Sequence, residues 1–126
     1  MDNRTIDLRQ IQGIIEQAWS ADTALGEWTP DVPSLNQCAV TALIVQDYFG
    51  GQLLRCEMSD GDSHYWNRLS SGIQIDLTAP QFEHTEARPL RETAIVRDRE
   101  YVLSFPETEK RYQLLRRRVW MAGERG

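Results

Sequence analysis

Apolar residues recur at Leu8, Ile11, Ile15, Ala18 and Trp19, the spacing of one helix face, and Asp7 followed by Gln10 supplies a start signal. An amphipathic helix is therefore predicted over 7–21. The segment 23–36, TALGEWTPDVPSLN, carries two prolines and no period, and reads as a loop holding Trp28. The pattern then changes character. CAVTALIVQDYF (38–49) is apolar on nearly every face, with Thr41, Gln46 and Asp47 as exceptions, and Gly50-Gly51 ends it, so a buried central helix is expected. Its cap is either Ser34, with Gln37 three residues on, or Asn36, and both put Cys38 in or beside the first turn.

Three strand-like runs follow, at 52–58, 64–70 and 72–78, separated by SDGDS and by a short turn around Ser71-Gly72. They predict an antiparallel meander. After Pro80 a polar stretch leads to a short apolar segment at 101–105, and Pro106 opens a last helix bearing Tyr112, Leu115, Val119 and Trp120. The chain has no internal repeat and no low-complexity segment. The elements add up to an α+β class: a central buried helix carrying Cys38, packed on a small antiparallel sheet, with N- and C-terminal helices. A length of 126 residues suits a single domain, 1–126, with one core.

Composition narrows the function classes. Hydrophobic residues make up 40% and charged residues 26%, as in soluble proteins, and no run approaches the ~20 apolar residues that cross a membrane. The start, MDNRTIDLRQ, mixes charges of both signs and lacks the apolar run of a secretory signal, so a cytoplasmic location is expected. Net charge is −5, and the Arg116, Arg117, Arg118 run reads as a solvated helix face, which argues against nucleic acid as a partner. The two cysteines are not spaced as CxxC, and a reducing compartment makes a disulfide unexpected.

Each cysteine is then read singly. A thiol is nucleophilic as thiolate, and a helix N-terminus favours that anion, which makes Cys38 the candidate nucleophile. Cys56 lies mid-strand among apolar residues and reads as core. His64 opens a strand directly after a turn, where a general base can face a cleft and still be held by pairing. Asp76 interrupts Ile73, Ile75 and Leu77 in a strand that otherwise reads as buried, and a buried carboxylate needs a partner. His84, beside Glu83 and Glu86, reads as solvated. Cys38, His64, Asp76 and His84 lack the short paired spacings of a zinc site, so no metal and no cofactor is expected.

The register of the last hairpin decides whether a triad can form. With a three-residue loop of Ser70, Ser71 and Gly72, Leu69 pairs with Ile73, Trp66 faces Asp76, and His64, Trp66 and Asp76 share one sheet face. A two-residue loop puts Asn67 opposite Asp76 and sends His64 to the other face. The three-residue loop is the expected one.

Cys at a helix start, then HYWNRL on one strand and IDLT on the next, resembles the papain-like and transglutaminase-like pattern of Cys, His and Asp. More narrowly, WTPDVPSLNQCAVTALIVQDYFGG with HYWNRL, IDLT and the following QF resembles the YunG-like family of small uncharacterised bacterial proteins, over roughly 28–82. The His-to-Asp interval is shorter than in many transglutaminase-like enzymes, which requires a compact hairpin. The resemblance implies a catalytic triad of Cys38, His64 and Asp76, and names no reaction. It also brings in Trp28, by analogy with a tryptophan upstream of the cysteine, as one candidate oxyanion donor.

The remaining cleft candidates are the Cys38 backbone N–H, the side-chain amides of Gln37 and Asn36, and Trp66. Gln37 and Asn36 serve equally well as helix caps, Trp28 as a loop anchor, and Trp66 as a shield over the His–Asp pair. The expected function is a cysteine-dependent acyl-transfer enzyme, whether amide or ester hydrolase, deamidase or acyltransferase. Its substrate would be an amide or ester of a small molecule, peptide or protein. The alternative is a non-catalytic binding or structural domain on the same scaffold.

Overall fold

The structure is a computed structural model that describes residues 6–125. The charged start at 1–5, read above against a secretory signal, lies outside the described residues. Helix α1 (Leu8–Ala18) begins with the expected reciprocal cap: Gln10 N donates to Asp7 Oδ1 at 2.8 Å, and Asp7 N donates to Gln10 Oε1 at 2.9 Å. It ends earlier than its pattern suggests, because Trp19 turns into extended backbone and sends its indole N–H to Thr41 Oγ1, 2.9 Å away on the next helix.

Helix α2 (Cys38–Phe49) buries every residue from Val40 to Val45, as its all-round apolar sequence demands. The expected cap is absent. Ser34 is buried, Asn36 takes a left-handed backbone (φ 60°), and Gln37 occupies the cap position with no capping hydrogen bond from its side chain. The side chains of Asn36 and Gln37 bond back to the preceding segment instead. Gly50 and Gly51, both at positive φ, then turn the chain into strand β1 (Gln52–Met58). A Cβ on Gly51 would lie 2.4 Å from the Arg68 carbonyl oxygen, so this turn passes directly over the end of strand β2 (Ser63–Arg68).

β1 and β2 pair antiparallel with Cys56 opposite His64 and Leu54 opposite Trp66. β2 continues through the three-residue loop into β3 (Gln74–Ile75): Leu69 N donates to Ile73 O at 2.8 Å, and Asn67 lies opposite Ile75. The third strand is thus two residues long rather than seven, and Ile73 is 61% exposed, so the run around Asp76 is no buried strand. A fourth strand, β4 (Pro89–Arg97), lies where the sequence reads as polar loop; it pairs antiparallel with the free side of β1, giving the order β3-β2-β1-β4.

Helices α3 (Arg99–Leu103) and α4 (Pro106–Arg125) complete an α+β architecture of helices around a small four-stranded antiparallel sheet. The main core joins Ile11 and Ile15, the buried face of α2, Leu53 of β1, and Tyr112, Leu115 and Val119 of α4. Leu54, Cys56 and Trp66, on the alternate strand positions, form a second cluster on the other face of the sheet. Trp120 is 61% exposed and outside the core, one position beyond the face that Val119 occupies. Arg118 is not solvated as expected: it crosses to Asp22 at 2.7 Å and also donates to Ser20 Oγ and Ala18 O, tying α4 to the end of α1. Among the described residues no helix is long and apolar enough to cross a membrane.

Candidate functional site

Cys38 is the first residue of α2 and half-buried. No side chain caps this end, and Cys38, Ala39 and Val40 of the first turn help to line a cleft of about 620 Å³. His64 comes to the same cleft from the second position of β2, at the end of the sheet where the α2 N-terminus also arrives. Leu35, Val40, Phe82, Val102 and Phe105 give the cleft apolar walls, while Asp60 and Asp62 from the β1–β2 turn and Arg111 from α4 supply its charges.

Asp76 follows β3 directly, in register opposite Trp66, where its carboxylate leans along the sheet face toward the start of β2. Its Oδ2 lies 2.7 Å from His64 Nε2, leaving Nδ1 as the other imidazole nitrogen. The ring is 1% exposed and held on two sides: Trp66 stacks on it at 5.6 Å between centroids, and Phe82 meets it edge-on at 4.7 Å. Such packing leaves the imidazole little freedom.

Burial alone pulls the His64 pKa down, yet the hydrogen bond to Asp76, with support from the neighbouring Cys38 and from the Asp76 charge, overcomes it and raises the value from 6.5 to about 9. Burial also opposes ionisation of Asp76, but the His64 hydrogen bond and charge, reinforced by Arg91, hold its carboxyl below the usual carboxylate range. Three charged or hydrogen-bonding groups are therefore mutually dependent in a small volume. Cys56, directly opposite His64 on β1, is fully buried, and desolvation pushes its thiol pKa up.

The structure brings Cys38, His64 and Asp76 together and disperses the other cleft candidates. Gln37 is fully buried with its amide already engaged: Oε1 accepts from Thr23 Oγ1 at 2.8 Å and Nε2 donates to Ser20 O at 2.9 Å. Asn36 lines the cleft, with one N–H of its Nδ2 donated to Glu27 O at 2.7 Å. Trp28 donates its indole N–H to Pro33 O at 2.9 Å, which makes it a brace within its own loop and no oxyanion donor. Trp66 lies behind His64 rather than in the cleft, with its N–H on Gln74 Oε1 at 2.8 Å. His84 is exposed. Among the described residues no three His, Cys, Asp or Glu side chains gather as a metal-binding group.

Two participants escaped the sequence reading. Arg91 of β4 places Nη2 2.8 Å from the same Asp76 Oδ2 that His64 uses, with its guanidinium over the Trp66 ring at 4.8 Å. Missing β4 meant missing Arg91. Gln81, in the 3-10 turn Ala79–Glu83, lines the cleft; its Oε1 accepts from Asn36 N at 3.2 Å, while its Nε2 is buried without a hydrogen-bond partner. The only signal for it was the QF pair inside the family resemblance, which carried no role.

No solved structure matches this chain. Residues 7–123 match the family described as YunG protein. The protein named "Uncharacterized protein YunG" from Bacillus subtilis (strain 168) is 34% identical over 110 residues, which cover 86% of this chain and 88% of the relative. With a match that runs from the first helix cap through the Cys38 helix and the His64–Asp76 hairpin into α4, the chain belongs to the YunG family.

Proposed function

We propose that this YunG-family chain is a cysteine-dependent acyl-transfer enzyme on a papain-like or transglutaminase-like core, with Cys38 as nucleophile, His64 as general acid–base and Asp76 as the group that orients His64. The observation that carries this reading is the buried imidazole itself: Asp76 takes Nε2 at 2.7 Å, and the ring lines the same cleft as Cys38 at the start of α2. Such a pairing of nucleophile, base and orienting carboxylate is what acyl transfer asks of a site.

The steps balance as follows. His64 rests as the imidazolium and pairs with Cys38 as thiolate, and the thiolate attacks the carbonyl carbon of an amide or ester, forming a C–S bond while the carbonyl electron pair moves onto oxygen. Collapse of that oxyanion breaks the bond to the leaving nitrogen or oxygen, which receives the proton from His64. Water, or an amine acceptor, then loses a proton to His64 as it attacks the thioester, and Cys38 departs. Asp76 stays ionised throughout and stabilises the imidazolium. The chemistry needs no cofactor. The proposed substrate is an amide or ester of a small molecule, peptide or protein; the acidic net charge of −5 disfavours nucleic acid. A cytoplasmic setting, reducing enough to keep Cys38 as a thiol, is part of the same proposal.

A second reading, a non-catalytic domain in which Asp76 is a structural ion-pair hub, is favoured by one observation: Arg91 claims the same carboxylate oxygen as His64. Iodoacetamide kinetics against pH separate the two, with buried Cys56 as internal control. On the enzyme reading Cys38 is modified well before Cys56, and His64→Ala reshapes its pH profile. Alkylation of Cys38 that follows an ordinary free thiol near ~8.5 and is indifferent to His64→Ala would end the enzyme reading.

A further inference from the structure

The ladder that leads to Asp76 stops before it: β3 contributes two residues, and Asn67 opposite Ile75 is the last pair. Past that point the Asp76 carbonyl accepts a long bond from Ala79 N at 3.3 Å, and Oδ1 another from Thr78 Oγ1 at 3.3 Å. The carboxylate therefore depends on its side-chain partners for its place. We propose that Arg91 supplies it, as a positioning residue of the acyl-transfer site that fixes Asp76 against His64; the inference rests on the acyl-transfer reading above.

Three observations carry it. Arg91 Nη2 and His64 Nε2 both donate to Asp76 Oδ2, at 2.8 and 2.7 Å, so the carboxylate is gripped from β4 as well as from β2. The guanidinium is itself aimed, because it lies over the Trp66 ring at 4.8 Å, and the same indole stacks on the His64 imidazole at 5.6 Å between centroids. One aromatic ring thus sets the place of both donors. Finally, the Asp76 side chain is 12% exposed and that of Arg91 42%. An enclosed carboxylate depends strongly on its partners, whereas a part-exposed guanidinium adds little stability, so Arg91 weighs more on the geometry of the triad than on the fold. His64 changes charge during each turnover and Arg91 does not. Once the imidazolium has given its proton to the leaving group, Arg91 is the cation that still faces Oδ2 and keeps Asp76 ionised and in place. The shared oxygen on which the structural reading rests is, on this view, part of the acid–base machinery.

The probe is p-nitrophenyl acetate. The Cys38 thiolate forms a C–S bond to the acetyl carbon, p-nitrophenolate leaves with the electrons of the broken C–O bond, and water then releases acetate from the thioester. Burst and steady-state rates are measured for the wild type, Arg91→Lys and Arg91→Ala, with urea midpoints alongside. Arg91→Ala is also assayed in millimolar guanidinium chloride against equal sodium chloride, since the exposure of Arg91 lets a free guanidinium enter its place. Arg91→Ala is expected to acylate roughly 10²-fold more slowly, as a small misplacement of a reacting group does, with its urea midpoint nearly unchanged. Guanidinium should restore part of that rate, and Arg91→Lys, which keeps the charge, should stand between the two. A wild type that acylates in a burst, with Arg91→Ala equally fast, overturns the role of Arg91 alone. So does a slow Arg91→Ala that neither guanidinium nor lysine restores, because that loss is structural. A wild type with no burst and the alkylation profile of a free thiol overturns the acyl-transfer reading and Arg91's role with it.

Discussion

Raising the pH should destabilise this protein through one residue. His64 is 1% exposed, and its pKa is raised from 6.5 to about 9 by Asp76 and Cys38 against the pull of burial. A folded value above the unfolded one means that the folded state binds the proton more tightly, so the stabilisation is complete below pH 6.5 and is lost as pH rises through about 9. Each tenfold in proton affinity is worth about 1.4 kcal/mol, so the interval amounts to roughly 3 kcal/mol. That is a large part of the stability of an ordinary small domain. Urea unfolding at half-unit pH steps reads the loss as a falling midpoint at constant slope. Imidazole NMR reads the titration directly, since the chain has two histidines and His64→Ala assigns them. Asp76→Asn should lower the His64 value, because the Asp76 hydrogen bond is the largest support that raises it. A His64 signal titrating at or below 6.5, together with stability flat up to pH 9, would refute the reasoning.

Gly51→Ala should destabilise more than Gly50→Ala: both backbones have positive φ, at a cost of ~1–3 kcal/mol for a non-glycine, but only at Gly51 does the new Cβ meet backbone, 2.4 Å from Arg68 O. Equal urea midpoints for the two variants would contradict the close approach of the helix turn to β2. Arg118→Ala should cost ~1 kcal/mol, reduced in 1 M salt, since the guanidinium and Asp22 are 34% and 56% exposed; a loss indifferent to salt would assign the effect to packing instead.

The parts of the fold that were legible in the sequence are those whose side chains repeat with a period. α1, α2 and α4 bury one stripe or all faces, and Cys38 and His64 stood out because each lies at the start of an element. β4 did not, because its run Leu90 to Val96 interleaves charge and apolar residues without alternation, and as an edge strand it keeps most of them exposed. Asp76 was noticed for a reason that proved only half right: its strand is short and Ile73 faces solvent, yet the carboxylate is enclosed by partners from β2 and β4. The caps of α2 were misassigned because Ser, Asn and Gln bond equally well to a loop as to a helix end, and composition cannot choose between them. Gln81 was out of reach altogether, since a side chain's lack of a partner is a property of three-dimensional surroundings.

His64 and Asp76 are 12 residues apart on one hairpin, whereas Cys38 lies about twice as far from His64 along the chain and on a different element. Short closures form early and cheaply, and long ones wait on tertiary docking. The His64–Asp76 half of the site is thereby a locally encoded unit, and the Cys38 thiol is a separable addition delivered by a helix. A lineage could exchange the thiol for another side chain at the start of α2 without dismantling the His64–Asp76 pair beside it.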